Sequence, residues 1–178
     1  LWLLYLSLLT VGQTFLSFQW DILLVEVGFA AIFLLPLPTV LSSLPAAPPT
    51  SLPTVWLLRF VFFKLMYMSG IVKIQSECPT WLGLTALNYH YATQCLPTPL
   101  AYYAHQLPFS LQKLSVVVTF MVEIPATLLL LFPHRYPRTL GAVIQIAFQA
   151  LIMLTAGNYT FFNLLTVALA LSCVDMSV

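Results

Sequence analysis

The sequence predicts an all-α fold: a multi-pass transmembrane helical bundle with interfacial helices in one long lumenal loop. Three observations predict it. Hydrophobic residues make up 61% of the 178 and charged residues only 6%, against roughly 25% charged in a soluble domain. Mean hydropathy is +0.97. Apolar runs recur at lengths near the ~20 residues that cross ~30 Å of hydrocarbon at 1.5 Å per residue. Six lysines and arginines with five acids cannot clothe a water-facing surface, so the lipid bilayer is the expected solvent. The net charge of +1 excludes nucleic acid as a partner, because phosphate backbones demand clustered cations.

Six candidate spans follow in order. Residues 1–11 begin in an apolar run without the basic flank or small-residue cleavage site of a signal peptide. We therefore expect a truncated span in an internal fragment, with any targeting signal upstream. The second and third spans are 20–35 and 55–74. Between them, 36–54 holds PLPTVLSSLPAAPPTSLP, whose prolines forbid a helix, and is expected to be a mobile linker. The loop 75–112 carries Trp81, Tyr89, His90, Tyr91, Tyr102, Tyr103 and His105 among short apolar stretches, a composition suited to the membrane–water boundary. The fourth, fifth and sixth spans are 114–132, 140–156 and 161–174. The last two are short and joined by Gly157-Asn158-Tyr159, so they form either a full hairpin or a partly re-entrant pair. No internal repeat of fixed period appears, which excludes a solenoid.

The segment His134-Arg135-Tyr136-Pro137-Arg138 is the only short loop with two arginines. The positive-inside rule places it in the cytosol. By alternation the 36–54 linker is cytosolic, and the 75–112 loop faces the opposite side, the lumen in an endoplasmic-reticulum protein.

Ionisable groups inside the spans demand partners, since each costs about 2.5–3.5 kcal/mol at a helix centre even on insertion scales. They are Asp21 and Glu26 on the second span, Arg59, Lys64 and Lys73 on the third, and Glu123 on the fourth. Counting depth from the lumenal ends sets Lys64 opposite Glu123 or Glu26, and Asp21 beside Lys73. These groups read as structural ion pairs that fix helix packing, or as the lining of a polar cavity.

Cys78 and Cys95 share the lumenal loop, where an oxidising compartment favours a disulfide; two free thiols are the alternative. Cys173 reads as a small packing residue. His90 and His105 match no common zinc spacing, so no metal or cofactor is expected. Catalytic residues are equally unmarked: CxxC, GxSxG, HExxH and phosphate-loop patterns are all missing. Asn158-Tyr159-Thr160 is a glycosylation sequon, but a turn wedged between spans is a poor acceptor, and we expect it unused.

Five motifs in order carry a family resemblance: GQTFLSFQWDILLVEVGF at 12–29, WLLRFVFFKLMYMSGIVKI at 56–74, CPTWLGLTALNYHYATQCLPTPLAYYAHQLP at 78–108, QKLSVVVTFMVEIP at 112–125 and GNYTFFNLLT at 157–166. Together they cover nearly everything but the proline linker, and they resemble the lipase maturation factor family. The last motif reads Asn-Tyr-Thr where the family more commonly has Asn-Tyr-Asn. The resemblance implies a multi-pass endoplasmic-reticulum membrane protein, chaperone-like rather than enzymatic, with immature secreted dimeric lipases such as lipoprotein and hepatic lipase as partners. It also implies a C-terminal lumenal domain outside this chain. The loop aromatics Trp81, Tyr89, Tyr91, Tyr102 and Tyr103, with His90 and His105, would then meet the client. A weaker likeness to the membrane part of vitamin K-dependent gamma-carboxylase implies an alternative, an enzyme acting on a small lipophilic or lumenal substrate with Lys64 or Lys73 as base. A transporter, the third class, needs a continuous polar path.

Overall fold

The structure, a computed structural model, describes residues 1–34, 51–94, 96–157 and 159–174. Most of the predicted linker, and with it residues 35–50, lies outside the described residues, as do Cys95 and Asn158. Among the described residues every regular element is helical, as the apolar runs predict. Three helices there are long and apolar enough to cross a membrane: Leu52–Gln75, Phe109–Leu131 and Arg135–Thr155.

The chain divides into two compact units, Leu1–Val61 and Phe62–Val178. In the first, α1 (Trp2–Gly12) continues through a 3-10 turn, Gln13–Leu16, and packs on α2 (Gln19–Ile32). Two amphipathic side chains bind this pair. The Trp2 indole donates to the Val25 carbonyl at 2.9 Å, and the Tyr5 hydroxyl donates to Asp21 at 3.0 Å. Helix α3 (Leu52–Gln75) begins in this unit, three residues before the predicted span. Pro53 sits in its first turn, where a missing N–H breaks no ladder bond.

The second unit holds the rest of α3 and the other two long helices. Three short helices, α4 (Pro79–Leu82), α5 (Ala86–His90) and α6 (Pro99–His105), fill the 75–112 loop. They are not spread thinly along a boundary. Ala86, Leu87, Tyr91 and Ala104 close with Val116 of α7 (Phe109–Glu123) into a buried cluster, joined at its edge by Trp81, Leu84 and Phe120.

Helix α7 stops at Glu123 because Pro125 has no N–H to donate back to Met121. The chain resumes as α8 (Pro125–Leu128) and a 3-10 turn, Leu129–Leu131. Freed carbonyls are costly where no water can reach them, and side chains repair them here. The Thr127 hydroxyl lies 2.7 Å from the Glu123 carbonyl and 3.0 Å from that of Val122, which also accepts from the Gln145 amide at 2.8 Å.

Gln145 comes from α9 (Arg135–Thr155), which pairs with α10 (Phe161–Leu171). Their polarity is inverted relative to a soluble bundle. Arg138, Gln145, Gln149, Asn163 and Thr166 are buried, while Leu140, Val143, Leu151, Leu154, Leu164 and Leu171 face outward, the arrangement that a lipid solvent selects.

The arginine segment corrects one expectation. Arg135 and Arg138 belong to the first turn of α9, and Arg138 is no solvated loop charge. Its guanidinium donates to the carbonyls of Phe132 at 3.1 Å, Pro133 at 2.8 Å and Cys173 at 3.3 Å. Helix C-termini leave such carbonyls unpaired and partly negative, so the cation is drawn inward.

Candidate functional site

Two polar clusters of the second unit lie at the loop. In the first, the Lys73 ammonium donates to both carboxylate oxygens of Glu123, at 2.8 and 2.7 Å, and to the Ser69 carbonyl at 3.0 Å. The Trp81 ring lies beneath it, 5.1 Å from nitrogen to centroid. The Glu123 side chain is 6% exposed and that of Lys73 18%. Gly70 makes this approach possible: a Cβ there would stand 3.0 Å from the Glu123 Cβ and 2.5 Å from Ile124.

Depth counting set Lys64 opposite Glu123 or Glu26, and the first of these is corrected, because Lys73 holds Glu123. That counting put the ends of α3 and the fourth span on one plane. Helix α7 instead begins at Phe109 and carries the loop helices along its first turns. Its last residue, not its middle, therefore meets the end of α3. Asp21 takes its hydrogen bond from Tyr5 within the first unit. Glu26 and Lys64 are half-buried, and neither is without a partner.

The second cluster is built on Gln94. Its carbonyl oxygen accepts from the Tyr159 hydroxyl at 2.8 Å, and its amide nitrogen lies 3.1 and 3.0 Å from the two ring nitrogens of His90. Tyr159 also reaches the His90 ring at 3.5 Å. Gly157, with φ of 142°, lets the α9–α10 turn come this close, since a Cβ there would stand 2.9 Å from the Gln94 oxygen. Thr98 donates to the Leu154 carbonyl at 2.6 Å, a second tie between the loop and the end of α9. Burial first, then the Lys73 charge, holds the His90 imidazole below the ordinary histidine range.

The predicted client-facing residues thus divide. Trp81 and Tyr91 turn inward, and burial pushes the Tyr91 phenol up. His90 and His105 are half-buried. Tyr89, Tyr102 and Tyr103 stand out at 60%, 67% and 68% exposure, the last two in edge-to-face contact. Cys78 caps the start of α4, 3.1 Å from the Thr80 hydroxyl, whose hydrogen bond draws the thiol below its usual range. Its predicted partner Cys95 lies outside the described residues, as does the Asn158 sequon. Among the described residues no group of three His, Cys, Asp or Glu comes together as a metal site.

Sequence reasoning missed Gly70, Gln94, Thr98, Thr127 and Gln145, and it gave Arg138 and Tyr159 none of the contacts they make. One signal was available for part of this set: Pro125 inside an apolar run announces freed carbonyls, and the buried-polar period of Gln145 and Gln149 offers donors.

Comparisons with known proteins agree along the whole length. Residues 1–178 match the family described as the lipase maturation factor transmembrane domain. Lipase maturation factor 2 of Gallus gallus is 53% identical over 171 residues, covering 96% of this chain and 24% of that protein. Lipase maturation factor 2 of Homo sapiens is 49% identical over 183 residues, 98% of this chain and 26% of that protein. Lipase maturation factor 1 of Mus musculus is 41% identical over 175 residues, 98% of this chain and 30% of that protein. The chain spans about a quarter of the length of the lipase maturation factor 2 relatives it matches. No solved structure matches it.

Proposed function

This chain belongs to the lipase maturation factor family, and on that premise we propose that it is the membrane platform of a chaperone-like factor of the endoplasmic reticulum. Its clients are secreted dimeric lipases, of the lipoprotein and hepatic lipase kind, which it helps to fold, assemble and leave the compartment. The observation that carries this reading is the family match across all 178 residues. The geometry supports a platform role. The loop is fastened to α7 and to the α9–α10 turn, and the outward Tyr89, Tyr102 and Tyr103 offer the amphipathic contact area that protein interfaces favour.

Complementation tests it. The full-length protein, expressed in cells that lack maturation activity, is expected to restore secreted lipoprotein lipase activity at unchanged lipase synthesis. No restoration would sink the proposal. A Tyr102→Ser/Tyr103→Ser form is expected to reach the membrane in normal amount and to rescue less.

A further inference from the structure

We infer that the 75–112 loop dips into the bilayer: α4 and the start of α5 lie inside the leaflet on the loop side, with Leu82 against lipid acyl chains, and α6 lies above them at the headgroup boundary. Two rulers set the depth. His134 and Arg135, both exposed, mark the end of α9 at the opposite membrane face. From there the ~30 Å of hydrocarbon takes ~20 helical residues and ends near Thr155. The Gln145 amide donates to the Val122 carbonyl, so Val122 lies level with Gln145, ~15 Å below Thr155. On that scale Val116 is ~6 Å and Phe120 ~12 Å below the end of α9. Measured down α7 from Phe109, the same two residues lie at ~10 and ~16 Å. They are the residues on which the loop packs: Val116 closes its buried cluster, and the Trp81 ring meets Phe120 edge to face at 6.0 Å. Helix α3 agrees. Gly70 faces Glu123 and Ile124, and the helix ends at Gln75, only ~8 Å higher. The chain therefore enters the loop from within the hydrocarbon.

The chemistry of the loop fits that depth. From Cys78 to Gln112 the sequence holds no Asp, Glu, Lys or Arg, where water-facing domains carry roughly a quarter. Leu82, next to Trp81 at the bottom, is 54% exposed. The backbone around it is paired, as hydrocarbon requires: the N–H groups of Gly83, Leu84 and Thr85 donate to the carbonyls of Pro79, Trp81 and Thr80 at 2.8, 3.1 and 2.7 Å. The outward face of α7 is apolar from its first turn, through Phe109, Leu111, Leu114 and Val118. Lys113 sends its ammonium back over the Phe109 ring at 4.7 Å, the snorkelling expected of a charge rooted below the boundary. Helix α6 is pinned at the boundary by both ends. Thr98 donates to the Leu154 carbonyl at the end of α9, and the Gln112 amide in α7 donates to the carbonyls of His105 and Leu107. Tyr102 and Tyr103 thereby stand at the height that amphipathic rings favour. Between the two levels, Gln94 brings the chain back up to Tyr159 in the α9–α10 turn. The tyrosines of α6 remain the part of the loop that a lumenal client can reach. That consequence rests on the proposed function, whereas the insertion itself does not.

The test is nitroxide accessibility on the full-length protein in phospholipid nanodiscs, without lipase. Labels are placed singly at Leu82→Cys, at Tyr102→Cys and, as the lipid-facing standard, at Leu151→Cys on α9, with the native cysteines replaced by serine. Each is read against oxygen, which partitions into acyl chains, and a nickel chelate, which stays in water. The Leu82 label is expected to match the Leu151 label, and the Tyr102 label to collide with nickel several-fold more often. A Leu82 label as open to nickel as the Tyr102 label overturns the insertion. Photo-crosslinking with the cysteines intact covers a serine background that does not fold. A benzophenone amino acid in place of Leu82 is expected to form a phospholipid adduct, as the same substitution of Leu151 should. An adduct from the Leu151 position and none from the Leu82 position overturns the insertion equally. Neither measurement involves a client, so failure here is distinct from failure of the maturation role, which the rescue of lipase activity reads.

Discussion

The Lys73 ammonium reaches both oxygens of Glu123, 50 residues away, and is the fixed point on which α3, α7 and the Trp81 ring converge. Removing one partner strands a buried charge, a change of about 3–5 kcal/mol. Glu123→Leu should therefore lower thermal stability in nanodiscs sharply, and Lys73→Met nearly as much. The double Lys73→Met/Glu123→Leu form should recover most of the loss. Strictly additive losses would show that the two side chains do not act as a pair.

Gly70 tests the same junction from its backbone side. Small residues let membrane helices approach, and overpacking a filled contact costs about 1–3 kcal/mol. Gly70→Val should lower the melting temperature and raise exchange at the end of α3, while Gly141→Ala disturbs the contact of α9 with the 3-10 turn at Leu129 and Leu130. Unchanged stability of Gly70→Val would refute the close approach.

The sequence carried much of this fold and little of its register. Helix type and three of the spans followed from apolar run length, which is a local property. Register is not local: which carboxylate Lys73 meets depends on where α7 begins. Phe109–Lys113 lies in a stretch of mixed polarity that looked like loop. The aromatic loop was legible as a boundary segment, yet composition does not say which rings fold inward. Trp81 and Tyr91 were drawn in by Val116 and Phe120, whereas Tyr102 and Tyr103 stayed out because Ala101 and Ala104 occupy the packed face of α6. Gln94 carried no signal, since a lone Gln in a loop predicts nothing until Tyr159 is placed beside it.

Cys78 gives a chemical readout of α4. Its thiol pKa is lowered first by the Thr80 hydroxyl and then by the backbone N–H groups of Thr80 and Trp81. In a reduced Cys95→Ser background, iodoacetamide labelling near neutral pH should be faster than for an ordinary exposed thiol, because the thiolate reacts. Thr80→Val should shift the labelling profile to higher pH. A profile indifferent to residue 80 would remove the hydroxyl from the account.

The break at Pro125 is mended by Thr127 and Gln145. Thr127→Val takes away a hydroxyl that two carbonyls share, and Gln145→Leu takes away a donor to the Val122 carbonyl. Each should destabilise by about 1–3 kcal/mol, the penalty for a buried polar group left unpaired. Because the Gln145 amide also donates to the Thr127 hydroxyl at 3.0 Å, their effects should be less than additive.

Arg138 is the strongest single test of how the two broken ends are held. It is 3% exposed, and its guanidinium joins three carbonyls, those of Phe132 and Pro133 before α9 and that of Cys173 after α10. Hydrogen bonds to a charged group contribute about 1.5–3 kcal/mol. An ammonium is a single point and cannot span the fork that these three acceptors require. Arg138→Lys should therefore restore only part of the stability lost in Arg138→Leu, even though it keeps the charge. If the charge alone mattered, as it would for a residue that only sets membrane orientation, Arg138→Lys would match the wild type. Melting temperature and in-cell abundance of the three forms decide between a guanidinium that ties helix ends and a cation that marks a side of the membrane.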